Sequence, residues 1–325
     1  EGRMGVRMGK LKPNTTAQER RKQLTTVARS WLEEKWVVHA NSLARQGAWL
    51  KWRDTALPFD FSWKNIIWGP GAQVLRFVLK ASVNWACTPH LLTLFNYKQS
   101  AKCPLCPNEL CSLTHILSDC PTALSQKRYT WRHDSVLVNL KAVLVFHIAE
   151  HNKNFKPKVF PKLLDSFCPK GKPDANGKVK FVVKSYLDDA DDWRLLMDIP
   201  PVFLVFPPEC YSTVQRPDIV IWSTKIRRII IVELTVPAEE TVTDAQICKE
   251  ERYSDLVSGI NESTTWRASL HTIEVGARGF VGRSLRSFLS KLGIKPTVRT
   301  KLCKTISFVA AKCSKTLLLE YTNLS

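Results

Sequence analysis

The sequence lacks a membrane-spanning segment, since no apolar run approaches the about 18 residues that a spanning helix needs. It also lacks a secretory signal at its start. Ten cysteines are present, and five of them lie between positions 103 and 168. Without an export signal, these cysteines do not indicate a disulfide framework. They favour a reducing compartment, and the lack of a long apolar run predicts that the protein has no membrane partner.

Acidic residues are scarce beside basic ones: 29 Asp and Glu stand against 48 Lys and Arg, a net charge of +19. This excess is larger than solubility requires and indicates a polyanionic partner, most commonly nucleic acid. Residues 1–100 hold 16 basic and 6 acidic side chains, together with seven of the eleven tryptophans. Aromatic rings among basic groups suit base stacking and phosphate contact. Most of these tryptophans would equally serve a hydrophobic core.

The chain has no internal repeat, and its 325 residues indicate two or three domains. Because it begins at Glu1 rather than at methionine, we expect it to be a fragment of a longer protein. Apolar periodicity predicts helices, and alternating or continuous apolar runs predict strands. The predicted helices are 17–52, 72–85, 131–149, 242–260, 282–292 and 297–318. The predicted strands are 179–187, 201–206, 218–223, 228–236 and 271–276. Residues 151–178, rich in lysine and proline, are predicted to form a linker.

A cysteine and histidine cluster stands out at CPLCPNELCSLTHILSDC, where four residues follow a C-x2-C-x8-H-x4-C spacing. Two cysteines three positions apart can coordinate one metal ion from a tight turn. A histidine and a cysteine from a short helix can complete its tetrahedral coordination. The predicted zinc ligands are Cys103, Cys106, His115 and Cys120. Cys111 lies between the two pairs, so one ligand could be misassigned. Four buried, unligated side chains are the alternative.

Two acidic residues mark the apolar block RPDIVIWSTKIRRIIIVELTV. Asp218 opens the first predicted strand, and Glu233 interrupts the second, which should be buried on both sides. A buried carboxylate is costly unless it is paired or binds a metal. Carboxylates on neighbouring strands can converge on one divalent cation, and hard oxygen ligands suit Mg²⁺. Lys249, on the following predicted helix, is the candidate cation beside the metal. A turn-capping aspartate and a solvated lysine are the plainer interpretations.

The order of these motifs resembles the carboxy-terminal region of non-LTR retrotransposon polyproteins, in which a CCHC zinc knuckle precedes a restriction-enzyme-like endonuclease of the PD-(D/E)xK type. The knuckle matches at its four predicted zinc ligands. The family's Arg-His-Asp/Asn motif matches Arg132, His133 and Asp134, and its Pro-Asp pair matches Pro217 and Asp218. Its second acid matches Glu233.

One motif position departs from the family pattern. A strict ExK motif would place lysine at 235, where this chain has Thr235. Lys249 is the best match to the family's helix-borne catalytic lysine. No Tyr-x-Asp-Asp run of a polymerase is present, so reverse transcription is not assigned to this chain.

The resemblance implies an α/β fold: a restriction-endonuclease-like mixed sheet flanked by helices, preceded by a small zinc knuckle and a helical basic segment. The implied domains are residues 1–98, a basic helical linker region after a missing polymerase, 99–124, the CCHC knuckle, and 125–325, the endonuclease. Asp218, Glu233 and Lys249 would be catalytic, with Mg²⁺ held by the two acids and a structural Zn²⁺ in the knuckle. For Arg132 and His133 the expectation is a structural or a nucleic-acid-binding role.

The implied function is a nick in target DNA that primes reverse transcription by the polymerase of the same polyprotein. Element RNA is then a second partner, and the protein, made in the cytoplasm, acts on chromosomal DNA in the nucleus. Two alternatives stay open. One is a catalytically inactive nucleic-acid-binding module with a degenerate nuclease fold, which Thr235 favours. The other is a structural host protein that has borrowed the fold.

Overall fold

A computed structural model describes residues 16–43, 71–107, 110–156, 185–201 and 203–324. The chain separates into two compact units, Glu1–Lys51 and Trp52–Ser325. None of the described helices is long and apolar enough to cross a membrane.

The described part of the first unit is one helix, α1 (Ala17–Ser42). It begins with a capping box, in which the Thr16 hydroxyl accepts from the backbone N–H of Glu19 and the Glu19 carboxylate accepts from the backbone N–H of Thr16. No residue of α1 is buried, and the ammonium group of Lys35 lies 5.4 Å from the centre of the Trp31 ring. The predicted helix is confirmed over 17–42, while 44–52 lie outside the described residues.

The second unit holds the remaining described helices and a four-stranded sheet. The helices are α2 (Ala72–Ser82), α3 (Pro89–Leu94), α4 (Pro121–Ser125), α5 (Arg128–Asn154), α6 (Val242–Ser263), α7 (Arg283–Lys291) and α8 (Pro296–Leu324). The strands are β1 (Arg194–Met197), β2 (Ile219–Ser223), β3 (Arg228–Thr235) and β4 (Arg267–Glu274). A π-helical turn spans His115–Asp119, and a 3₁₀ turn spans Glu239–Thr241.

The sheet is mixed, with the spatial order β1-β2-β3-β4. β1 pairs with β2 and β2 with β3 in antiparallel fashion, whereas β3 and β4 are parallel. The β2–β3 hairpin turns through residues 224–227, where Arg227 adopts a φ of 50°. The parallel pair needs a crossover, and α6 provides it. The mixed α/β sheet expected from the sequence is confirmed.

The predicted strand at 201–206 is wrong. Residues 203–206 form no strand, and the edge of the sheet is taken by β1, which the sequence did not indicate. Prolines at 200, 201, 207 and 208 flank the predicted segment and cannot donate to a ladder, so its apolar residues lie in an irregular run. Of the strand predicted at 179–187, residues 179–184 lie outside the described residues and 186–187 form a turn.

Both faces of the sheet are buried. One face packs against α5, α7 and α8, and its core includes Ile221, Ile230, Val232 and Leu144. The opposite face packs against α6, through residues that include Val220, Ile229, Ile231 and Leu256. Burial on both faces explains why β2 and β3 read as continuous apolar runs rather than alternating ones.

A buried arginine ties the loop after β4 to its surroundings. Arg278 is 0% exposed, and its guanidinium donates to Glu239 at 2.8 Å and to Glu240 at 2.7 and 2.8 Å. It also donates to the backbone carbonyl of Ala81, at the end of α2, at 3.1 Å. The same side chain therefore joins the loop after β4, the 3₁₀ turn and α2.

We expect Arg278→Met to lower the free energy of unfolding by about 3–5 kcal/mol, because it leaves the buried Glu239 carboxylate without its partner. Urea denaturation in zinc-replete buffer measures this change. The control is Lys225→Met, which removes an ion pair with Asp191 on the surface and should leave the unfolding free energy nearly unchanged. Equal effects of the two substitutions would show that the Arg278 contacts do not stabilise the fold.

Candidate functional site

The four predicted zinc ligands lie together. Their ligand atoms are all within 4.8 Å of one another, and all four side chains are buried. The Cys106 Sγ atom lies 3.4 Å from Nε2 of His115. Three sulfur ligands and one imidazole are the donor set of structural zinc sites. The cluster is therefore compatible with a bound zinc ion.

Local structure holds each half of this cluster. The N–H of Leu105 donates to Sγ of Cys103 at 3.4 Å, which orders the Cys103–Cys106 turn. The π-helical turn carries His115, and Cys120 follows directly after it. The Tyr129 hydroxyl accepts from the N–H of Cys120 and donates to the carbonyl of His115, each at 3.1 Å. These contacts set the orientation of the second ligand pair before any metal binds.

Cys111 is buried beside the cluster but is not a member of the compact set. Burial and the neighbouring Cys103 raise the pKa of the Cys111 thiol well above its usual range. The compact set instead contains His115. The geometry thus favours His115 over Cys111 as the fourth ligand.

The two predicted catalytic acids meet across the β2–β3 hairpin. Asp218 immediately precedes β2, and Glu233 lies on β3. The N–H of Asp218 donates to Oε1 of Glu233 at 3.0 Å, and the N–H of Leu234 donates to Oδ2 of Asp218 at 2.8 Å. Each carboxylate is therefore fixed by backbone of the other strand. The two side chains face the same site rather than opposite sides of the sheet.

Lys249 joins this pair from α6. Its ammonium group donates to Oε2 of Glu233 at 2.5 Å, and the Glu233 side chain is 1% exposed. Glu233 and Lys249 are sixteen residues apart in sequence, so only the crossover from β3 into α6 brings them together. Tyr253, one helical turn after Lys249, is buried on the same side of α6.

His133 is the remaining neighbour of the acids. Its Nε2 lies 3.2 Å from Oδ2 of Asp218, and its Nδ1 lies 3.1 Å from Oδ1 of Asp134. Burial acts to lower the pKa of His133, yet the hydrogen bonds to Asp134 and Asp218 raise it to about 9. The imidazole is therefore a cation at neutral pH, placed against a carboxylate.

The two acids have opposite electrostatic environments. Burial acts to raise the pKa of Asp218, but the His133 hydrogen bond and charge outweigh it and hold that pKa below its usual range. Burial, helped by the negative charge of Asp218, raises the pKa of Glu233 to about 7, and Lys249 offsets only part of this. Carboxylates with separated pKa values in one buried site are typical of functional sites.

Arg132 has an interior position. It is 1% exposed, and its guanidinium donates to the carbonyls of Leu117 at 2.8 Å and Val236 at 2.6 Å. It also donates to the Ser314 hydroxyl on α8 at 3.2 Å. Of the two roles expected for Arg132, nucleic-acid contact and structural support, its burial supports only the second. It links the Cys/His cluster, the end of β3 and α8.

Sequence motifs do not point to Glu274, which ends β4 opposite Thr235 in the parallel register. Glu274 is 5% exposed, and its Oε2 is hydrogen-bonded to the Ser284 hydroxyl. The available signal was an acid within the predicted strand at 271–276, just as Glu233 lies within the predicted strand at 228–236. The neighbouring hydroxyl of Thr235, where a strict motif has lysine, is buried without a hydrogen-bond partner among the described residues.

No protein-family model matches the chain, and no curated protein matches it.

We expect Cys103→Ser combined with Cys106→Ser to remove the zinc from the purified protein, because two of the four ligands are lost. Metal analysis by mass spectrometry measures the zinc content per chain. Cys111→Ser is the matched control, since it changes a buried cysteine of the same segment and should leave the zinc content unchanged. Loss of zinc from the control but not from the double variant would overturn the ligand assignment.

The raised pKa of His133 predicts a pH-dependent contribution to stability. This contribution is full below the ordinary histidine pKa near 6.5 and is lost as the pH rises through about 9. His133→Gln should therefore flatten the decline in unfolding free energy between pH 6.5 and 9, measured by urea denaturation without added Mg²⁺. His151→Gln alters another half-buried histidine of α5, which contacts the Ala190 carbonyl, and should keep the wild-type profile. An unchanged profile in His133→Gln would contradict the ion pair.

Proposed function

We propose that the protein is a Mg²⁺-dependent DNA endonuclease. The observation that supports this most directly is the meeting of the Asp218 and Glu233 carboxylates, each bound to backbone of the other strand, with Lys249 in contact with the second acid. Two acids and a lysine at the end of a mixed sheet match the residue types of a PD-(D/E)xK site. The net charge of +19 supports a polyanionic substrate.

The donor set fits a hard divalent cation. Asp218 and Glu233 offer only oxygen ligands, which Mg²⁺ prefers to nitrogen or sulfur. Oδ1 of Asp218 accepts no hydrogen bond from a described residue, so it is available as a ligand. The cation, when bound, supplies a water of lowered pKa and charge that stabilises the leaving oxygen.

The protein's own groups have separate tasks in this proposal. Asp218, ionised by its contact with His133, holds the cation, and Glu233 shares that task. Lys249 stands beside Glu233, where its ammonium group orients the attacking water or offsets charge on the scissile phosphate. His133 fixes the orientation of Asp218, and the buried Tyr253 donates from its hydroxyl to the carbonyl of Arg216 at 3.0 Å.

The remaining parts of the proposal follow the retrotransposon resemblance. The fold around the acids is restriction-endonuclease-like, and the zinc-bound knuckle and the basic segment 1–98 hold element RNA or target DNA. The nick in chromosomal DNA primes reverse transcription by the polymerase of the same polyprotein, which places the protein in the nucleus.

A plasmid-nicking assay tests this function. We expect the zinc-replete protein to convert supercoiled plasmid to open circles only when Mg²⁺ is added. Asp218→Asn and Glu233→Gln should abolish nicking, because each removes a charged metal ligand. Lys249→Met should slow nicking by about 10²–10³-fold, the usual cost of removing one electrostatic group from a transition state.

Asp191→Asn is the control, since it changes an exposed acid in contact with Lys225 and should nick as the wild type does. Zinc content and circular dichroism show that each variant is folded. Wild-type protein that binds the plasmid in a salt-sensitive manner yet never nicks it would replace the endonuclease with the inactive binding module.

A further inference from the structure

The outer edge of β4 carries unpaired backbone groups. β4 is the last strand of the sheet and pairs only with β3 among the described residues. The N–H groups of Arg267 and Val275 donate to the carbonyls of residues 227 and 235, toward β3. Because backbone direction alternates along a strand, the backbone groups of residues 268, 270, 272 and 274 point away from β3. This edge is where a further strand would attach.

At both ends of β4, the outward backbone groups already have hydrogen-bond partners. At the start of β4, the Asn261 side chain accepts from the N–H of Ala268 at 2.8 Å and donates to its carbonyl at 3.3 Å. At the end of β4, the carbonyl of Glu274 accepts from the N–H of Gly282 at 2.8 Å, and the Ser284 hydroxyl lies 3.4 Å from the N–H of Glu274. In the part of the chain that the structure describes, the outward backbone groups of Leu270 and Thr272 have no partner.

A groove of about 550 Å³ lies along this stretch of β4, and the facing sides of α6 and α7 form its other walls. Small hydroxyl side chains form much of its walls, with Ser254 and Ser258 on α6 and Ser287 on α7. Because these side chains are small, the backbone of a bound peptide has room to approach β4. The volume is within the range of about 300–1,000 Å³ found for ligand sites in proteins.

The two ends of the groove carry opposite charges. Glu250, on α6, lies at the Thr272 end and accepts from the Thr272 hydroxyl at 3.1 Å. The buried carboxylate of Glu274 lies near the same end. Lys291, the last residue of α7, lies at the other end, where its ammonium group is 5.9 Å from the ring of Tyr186. Lys291 has no ion pair with any described residue.

We infer that this groove binds an extended peptide segment of another protein by adding it to β4 as a short strand. The peptide backbone pairs with the outward N–H and C=O groups of Leu270 and Thr272. In the antiparallel direction, its amino-terminal end lies beside Glu250 and its carboxy-terminal end beside Lys291. The groove therefore selects an extended segment with a basic residue toward its amino-terminal end and an acidic residue toward its carboxy-terminal end. This site is independent of the endonuclease proposal, since none of its residues is catalytic.

Amide chemical shifts in a ¹⁵N-labelled protein test the inference. The probe is the peptide Ac-Lys-Val-Thr-Asp-Val-NH2, and we expect it to shift the amides of Leu270 and Thr272 in a saturable manner. The same peptide with methylated backbone nitrogens cannot donate, and it should bind about tenfold more weakly or not at all. The charge-reversed peptide Ac-Asp-Val-Thr-Lys-Val-NH2 should also bind more weakly.

Two variants and one control variant test the location. Leu270→Pro removes one outward N–H that β3 does not use, and an edge strand tolerates proline there. Ser287→Trp fills the groove from α7, while Ser290→Trp places the same side chain on an exposed position of α7 outside it. Leu270→Pro and Ser287→Trp should lose peptide binding, and Ser290→Trp should keep it.

The inference fails if the probe shifts no β4 amide up to its solubility limit, or if Ser287→Trp and Ser290→Trp bind it equally well. It also fails if sedimentation shows a dimer that Leu270→Pro dissociates. A second copy of this chain would then be the occupant of the edge.

Discussion

The structure depends on one constraint, which is how a carboxylate can lie inside an apolar sheet. Glu233 is 0% exposed on a strand whose neighbours are isoleucine, valine and leucine. Without compensation its ionised form would be strongly destabilising. The backbone N–H of Asp218 and the ammonium group of Lys249 compensate it, and Asp218 is in turn held by Leu234 and His133. Burial is tolerated because these groups, which come from α5, α6, β3 and the residue before β2, give the two acids hydrogen-bond donors and positive charge.

The same compensation makes the site electrostatically uneven. His133 lowers the pKa of Asp218, while the negative charge of Asp218 adds to the burial that raises the pKa of Glu233 to about 7. One acid is therefore ionised throughout the physiological range, and the other is poised near neutrality. A divalent cation would favour the ionised form of both, which couples metal binding to proton release.

Two buried arginines connect this site to the rest of the second unit. Arg132 joins the Cys/His cluster to the end of β3, and Arg278 joins the loop after β4 to α2. The cysteines of the cluster belong to the same hydrophobic core as α2 and the end of α8. A zinc ion bound in the cluster would therefore stabilise more of the unit than its four ligands. The outer edge of β4 is less constrained, because the outward backbone groups of Leu270 and Thr272 have no partner among the described residues.

The sequence by itself determined the local features. Ligand spacing predicted the cluster of Cys103, Cys106, His115 and Cys120. The two apolar runs that carry Asp218 and Glu233 predicted β2 and β3. Both signals are encoded over a few residues. Tertiary structure decided what depends on distant chain segments. The strand at 194–197 replaced the one expected at 201–206, and Arg132 went into the interior. Lys249 contacts Glu233 only because the crossover helix α6 returns across the sheet. The same crossover makes β4 the outer strand. No local sequence pattern predicts where a crossover helix returns.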